Sequence, residues 1–195
     1  MTSAPTRCFT KLASAVVLAS VTVSGLPAAQ AAPAPGLAVP PTVAAAPMLA
    51  GTADMDAFEA EVLRLTNKAR SHSRKCGGKR MKKAKPLRWN PTLAATANAH
   101  SADMATRDYF SHYAPGGVSP FQRIRAAGYR YRAAGENIAA GRSLSSPEAV
   151  VRAWLKSPAH CRVLMNRSYK DLGVGRVEGA GKWTVYWTQN FGRRK

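Results

Sequence analysis

Two imidazoles and one carboxylate are the side chains of this 195-residue chain whose types and settings could carry chemistry. His112 lies in Tyr109-Phe110-Ser111-His112, just past the end of a predicted helix, where a backbone turn can present a side chain to a cleft. Glu136 is the most isolated acid: none other lies between Asp108 and Glu148, while Arg123, Arg125, Arg130, Arg132 and Arg142 flank it. Set in Ala134-Gly135-Glu136-Asn137-Ile138-Ala139, amid small and apolar residues, it reads as partly buried, and a buried carboxylate requires a partner or a function. His160 is the third residue of a short helix if Ser157 is its cap. The positive end of the helix dipole there favours the neutral ring, able to accept a proton or bind a metal. Two imidazoles and a carboxylate suit acid-base work or a divalent metal such as Zn²⁺ with open coordination positions. Their wide separation leaves a hydrogen-bonded structural cluster as the open alternative. His72, in a basic stretch, and His100, on a helix, each read as structural. Asn137 reads as a turn residue that holds Glu136.

The elements that must position these residues follow from periodicity and caps. Over Asp56 to Arg70, Phe58, Val62, Leu65 and Ala69 recur on one helical face, with acids at the N-terminal end. Asn90-Pro91 gives a cap and first-turn proline for a second helix to about Tyr109. Ser119-Pro120 opens a short helix that Gly128 closes. Ser146-Pro147 starts a fourth helix through Trp154, and Ser157-Pro158 a short fifth carrying His160 to Met165. Leu172 to Val177 and Trp183 to Phe191 read as strands joined by Glu178-Gly179-Ala180-Gly181. Helices around a small antiparallel sheet predict the α+β class. Trp89, Trp154, Trp183 and Trp187 read as core or sheet-face aromatics, the last two also as candidates to edge a groove.

The N-terminus reads as a cleaved secretory signal over residues 1–31: Arg7 and Lys11, an apolar run from Leu12 to Val23, then Ala29-Gln30-Ala31. Residues 32–53, dominated by Ala and Pro, read as a disordered leader or tether, leaving one domain over 54–195. The apolar run is shorter than the roughly 20 residues of a spanning helix, so the mature chain is expected to lack a transmembrane segment. An exported chain places Cys76 and Cys161 in an oxidising compartment, where a disulfide is the simplest pairing.

The net charge of +19 becomes +17 once the two basic residues of the signal peptide are removed. Nine cations, Arg70, Arg74, Lys75, Lys79, Arg80, Lys82, Lys83, Lys85 and Arg88, fall in nineteen residues without an acid. Like charges at that density predict a solvated loop. The loop suits an anionic envelope polymer, lipid or protein surface as partner. Nucleic acid is not expected, because no aromatic residue interleaves the run and the chain is exported.

Taken in order, Leu87-Arg88-Trp89-Asn90, Ala97-x-x-His100-Ser101-x-Asp103-Met104-Ala105, Phe110-Ser111-His112, Gly135-Glu136-Asn137-Ile138-Ala139, Trp154-x-x-Ser157-Pro158-x-His160, Gly173-Val174-Gly175 and Tyr186 to Gly192 resemble the bacterial branch of the CAP superfamily. The superfamily is named for cysteine-rich secretory proteins, antigen 5 and pathogenesis-related proteins, and its domain is also called SCP-like. The resemblance covers residues 56 to 192 and implies an α-β-α sandwich with a three-stranded antiparallel sheet. It also implies a shallow cleft lined by two histidines and two acids. His112, Glu136 and His160 match three of those positions; where eukaryotic members carry the second acid, this chain offers Ser157.

These readings favour a secreted, monomeric, non-enzymatic binding domain for an anionic or amphipathic envelope or extracellular component. The absence of a serine in a Gly-x-Ser-x-Gly setting supports that choice. The alternatives are a hydrolase of peptide or cell-wall substrates using His112, Glu136 and His160, with or without Zn²⁺, and a basic membrane-active protein.

Overall fold

The computed structural model describes residues 55–195; the signal-peptide and leader readings lie outside them. Helix α1 (Ala57–Arg70) starts at Asp56, whose carboxylate accepts the Glu59 N–H at 2.7 Å while Glu59 accepts the Asp56 N–H at 2.9 Å. This reciprocal cap satisfies donors that a helix start leaves orphaned. Val62, Thr66 and Ala69 form its buried face. Phe58, read as part of that face, lies on its flank, 41% exposed beneath the Arg176 guanidinium.

The cationic segment departs from the expected solvated loop in two ways. Strands β1 (Arg74–Cys76) and β2 (Lys79–Met81) pair as an antiparallel hairpin turned at Gly77, which has φ +64°. Pairing leaves Lys75, Lys79 and Arg80 in water, with Arg74 half-buried, while Cys76 is buried and bonded to Cys161. Arg70 is fully buried. Its guanidinium donates to the carbonyls of Lys85, Leu164 and Asn166, so backbone acceptors take the place of water. Burial pulls its pKa down to about 10, which leaves it charged at neutral pH.

Strand β3 (Arg88–Trp89) leads through the Asn90 cap into α2 (Pro91–Thr106), which ends before the expected Tyr109 because Asp108 turns left-handed. Helix α3 (Pro120–Ala126) is closed by Gly128 at φ +84°. Strand β4 (Tyr131–Ala140) follows, then a 3₁₀ turn, Arg142–Leu144. Helices α4 (Pro147–Lys156) and α5 (Pro158–Leu164) precede β5 (Asp171–Glu178) and β6 (Val185–Arg194).

The sheet runs β3-β5-β6-β4. Its last three strands are the expected antiparallel set, and β3 adds a two-residue parallel edge. Successive residues face opposite sides. Leu172, Val174, Trp187 and Phe191 join Val62, Val151 and Trp154 in one core layer. On the other face Gly173 and Gly175 admit α2: a Cβ there would meet the backbone nitrogens of Ala94 at 2.0 Å and Asn98 at 2.2 Å. The result is the α-β-α sandwich.

Asn137 is a strand residue, not a turn residue. It is fully buried in β4 and donates to the His160 carbonyl at 3.3 Å and to Gln189 Oε1 at 3.2 Å. No helix among the described residues is long and apolar enough to cross a membrane.

Candidate functional site

Glu136 sits mid-strand in β4 opposite Asn190 of β6, so the sheet fixes its backbone. His112 lies in the connection between α2 and α3. Its neighbour Ser111 gives its carbonyl to His100 Nε2 at 3.0 Å, which explains the buried His100 as a brace. Arg123 on α3 donates through Nη1 to the carbonyls of His112 and Val118, both at 3.0 Å, clamping the connection.

The same guanidinium reaches Glu136 Oε2 through Nη2 at 2.7 Å, while His112 Nδ1 meets Oε1 at 2.8 Å. The Glu136 side chain is 2% exposed, Arg123 14% and His112 41%, so the imidazole is the member presented to solvent. The Glu136 carboxylate accepts hydrogen bonds from the guanidinium at Oε2 and from His112 Nδ1–H at Oε1. In the neutral ring Nε2 is then the free acceptor. Exposed Phe110 and Tyr113 flank His112 in the same connection.

His160 is the third residue of α5, beyond the Ser157 cap. Burial lowers its pKa first, and the neighbouring His112 lowers it further, so the ring is held neutral. Of the three residues expected at the cleft, His112 and Glu136 meet in a hydrogen bond, and His160 lies near enough for His112 to lower its pKa. Arg123 is the member that sequence reasoning missed: it was one of five arginines flanking Glu136, and only the fold selects it.

The donor chemistry bears on a metal. Both Glu136 oxygens already accept hydrogen bonds, and among the described residues no group of three or more His, Cys, Asp or Glu side chains could hold a metal ion. Two imidazoles remain as protein ligands, one short of the three that catalytic zinc sites use. As arranged, these residues do not fit a resident Zn²⁺.

Away from this site, a cavity of about 560 Å³ opens between α1 and α4. Leu65, Ala69, Val151 and Leu155 supply its apolar lining. Lys68, His72, Arg74, Arg152 and Lys156 ring it, with Glu148 the one acid among its lining residues. Arg74 Nε is buried there without an acceptor among the described residues. The cationic segment is thus dispersed: Arg74 goes to this cavity, Lys75, Lys79 and Arg80 stay on the hairpin, and Lys82 is exposed beyond it. Lys83 and Lys85 line another cavity with Arg167 and Lys170, and Arg88 lies on β3, 3.3 Å from Asp171.

Comparison with known proteins agrees with this architecture. Residues 63–191 match the model of the CAP, cysteine-rich secretory protein family. The chain is 39% identical over 130 residues to YkwD, an uncharacterized protein of Bacillus subtilis, covering 67% of this chain and 46% of that one. It spans less than half the length of the curated relatives it matches. An extracellular SCP-domain protein of Bacillus anthracis is similar at TM-score 0.57 and 33% identity, over 70% of this chain and 40% of that chain. An outer surface protein of Borrelia burgdorferi shares the fold at TM-score 0.55 and 24% identity, over 70% and 89% of the two chains. On the family match and the sandwich that carries it, this chain belongs to the CAP family of cysteine-rich secretory proteins.

Proposed function

We propose that this CAP domain is exported and acts outside the cytoplasm as a non-enzymatic binding domain for an anionic amphiphile. The observation that carries the reading is the cavity between α1 and α4, whose apolar lining and cationic ring suit an acyl chain below an acidic head group. Export is supported by the leader pattern ending at Ala29-Gln30-Ala31 and by the extracellular and outer-surface descriptions of the Bacillus anthracis and Borrelia proteins. The surrounding positive charge would steer encounter with an anionic envelope. Titration with dodecyl phosphate and with neutral dodecyl maltoside tests it. The phosphate is expected to bind more tightly, to weaken as salt rises to physiological strength, and to lose affinity in Leu155→Glu. Equal binding of both detergents, or of neither, contradicts the reading.

A second reading rests on the His112–Glu136 pair. An imidazole oriented by a carboxylate through Nδ1, with Nε2 free, is the arrangement of a general base. The hydrolase reading predicts cleavage of peptide or cell-wall substrates that disappears in His112→Ala. Survival of that activity in chelator would assign it to side chains rather than a metal. A protein inert on both substrate classes removes this reading.

A further inference from the structure

The strand register gathers at one end of the sheet cations that the sequence scatters over more than a hundred positions. Arg88 on β3 stands opposite Asp171, the first residue of β5, and its N–H donates to the Lys170 carbonyl at 2.9 Å. Lys170 in turn donates its N–H to Gly192 of β6 at 2.7 Å, immediately before exposed Arg193 and Arg194. Arg194 pairs with Tyr131 of β4, and the Lys195 N–H meets the Arg130 carbonyl at 3.2 Å. Exposed Arg130 and Arg132 therefore complete the same edge. Three strand-to-strand steps make this row about 14 Å long.

Beside the row lies a cavity of about 480 Å³ lined by Lys83, Ala84, Lys85, Arg167 and Lys170. Of the cations here, Arg88 alone has an acidic partner among the described residues. Asp171, the acid of this end, is 5% exposed and already accepts from Tyr129 at 2.6 Å and from Arg88 at 3.3 Å. Arg70 lies buried against Lys85 and adds a positive charge from beneath.

We infer that this end of the sheet binds a linear, base-free phosphate polymer, with one phosphate seated in the Lys83–Lys170 cavity. A single small anion would meet two or three of these cations; the 14 Å row, roughly three strand steps, calls for repeated charges. Tetrahedral phosphate offers acceptors in several directions, which suits cations converging from two chain segments, whereas a carboxylate presents one planar edge. The row offers little stacking surface for nucleobases: Tyr129 is buried under Arg194, and the half-buried Tyr131 ring carries Arg125 5.4 Å from its centroid and packs against Phe121, the exposed aromatic at the β4 side. This surface is separate from the α1–α4 cavity and does not depend on it.

The test uses the exported protein and long-chain linear polyphosphate, with affinity read by titration across a salt series. Lys85→Glu/Arg167→Glu and Lys79→Glu/Arg80→Glu lower the net charge equally, the first at the sheet end and the second on the hairpin. The sheet-end variant is expected to lose about tenfold or more in affinity and to flatten the salt slope, the hairpin variant less than about threefold. Arg130→Glu/Arg193→Glu, at the far side of the row, should repeat the loss if the first pair disturbs folding. Equal losses in sheet-end and hairpin variants overturn the placement. Polyglutamate of equal charge binding as tightly overturns the preference for phosphate. A single-stranded oligonucleotide binding more tightly than polyphosphate overturns the base-free ligand. No binding of polyphosphate overturns the inference altogether, while leaving the dodecyl phosphate titration to judge the amphiphile reading by itself.

Discussion

Glu136 orients His112 through Nδ1 and neutralises Arg123, and Arg123 in turn grips the loop that carries His112. Removing any one of the three would leave a buried polar group without its partner. Around this unit the histidines differ in setting. Burial keeps His100 neutral despite the opposing pull of Glu136, and burial plus the nearby His112 keeps His160 neutral. In both, the folded pKa lies below the 6.5 of the free side chain, so the unfolded chain binds more protons as pH falls past that value. Stability is therefore expected to decline from about pH 6.5 downward, with the loss reduced in His160→Gln. Urea midpoints across that range check it, and a flat profile would contradict the burial argument. Much of this site was legible in the residues. An acid isolated among small residues required partners, and a histidine just past a helix end was placed to supply one. Arg123 was not legible, since choosing one of five arginines takes the α3–β4 geometry.

At the level of elements, caps were the readable feature. Asp56, Asn90, Ser119 and Ser146 each accept a backbone N–H at a helix start, as their side-chain chemistry requires. Strand β4 was unreadable from propensity because Tyr131 to Ala140 is mostly alanine, glycine and polar residues. Pairing with β6 imposes its extended shape, and that is why Asn137 looked like a turn residue. The close seat of α2 on β5 gives the sharpest test of packing. Gly173→Ala places a methyl group against the Ala94 backbone, which has no rotamer by which to move away. We expect a loss of about 3 kcal/mol or more, or failure to fold, measured by chemical denaturation. A change below about 0.5 kcal/mol would mean that α2 shifts freely on the sheet.

Across the whole molecule, the charge excess that looked like one loop is distributed over a hairpin, a cavity between two helices and one end of the sheet. Arg70 was the misleading member, because sequence alone does not reveal that Lys85, Leu164 and Asn166 aim carbonyls at it. The Cys76–Cys161 bridge ties the hairpin to α5 across a separation of 85 residues. In the chain-entropy model a loop of that size stabilises by roughly 4 kcal/mol. Reduction is accordingly expected to lower the thermal midpoint by about 10 °C or more, read by calorimetry with and without reductant. An unchanged midpoint would show that hairpin and α5 are held by other contacts. The central claim is that the α1–α4 cavity takes an anionic amphiphile, and a crystal structure of the protein with dodecyl phosphate tests it most directly. The account predicts an alkyl chain along Leu65, Ala69, Val151 and Leu155 with the phosphate at Arg74 or Arg152. An empty cavity, or a ligand lodged at His112 and His160 instead, would contradict it.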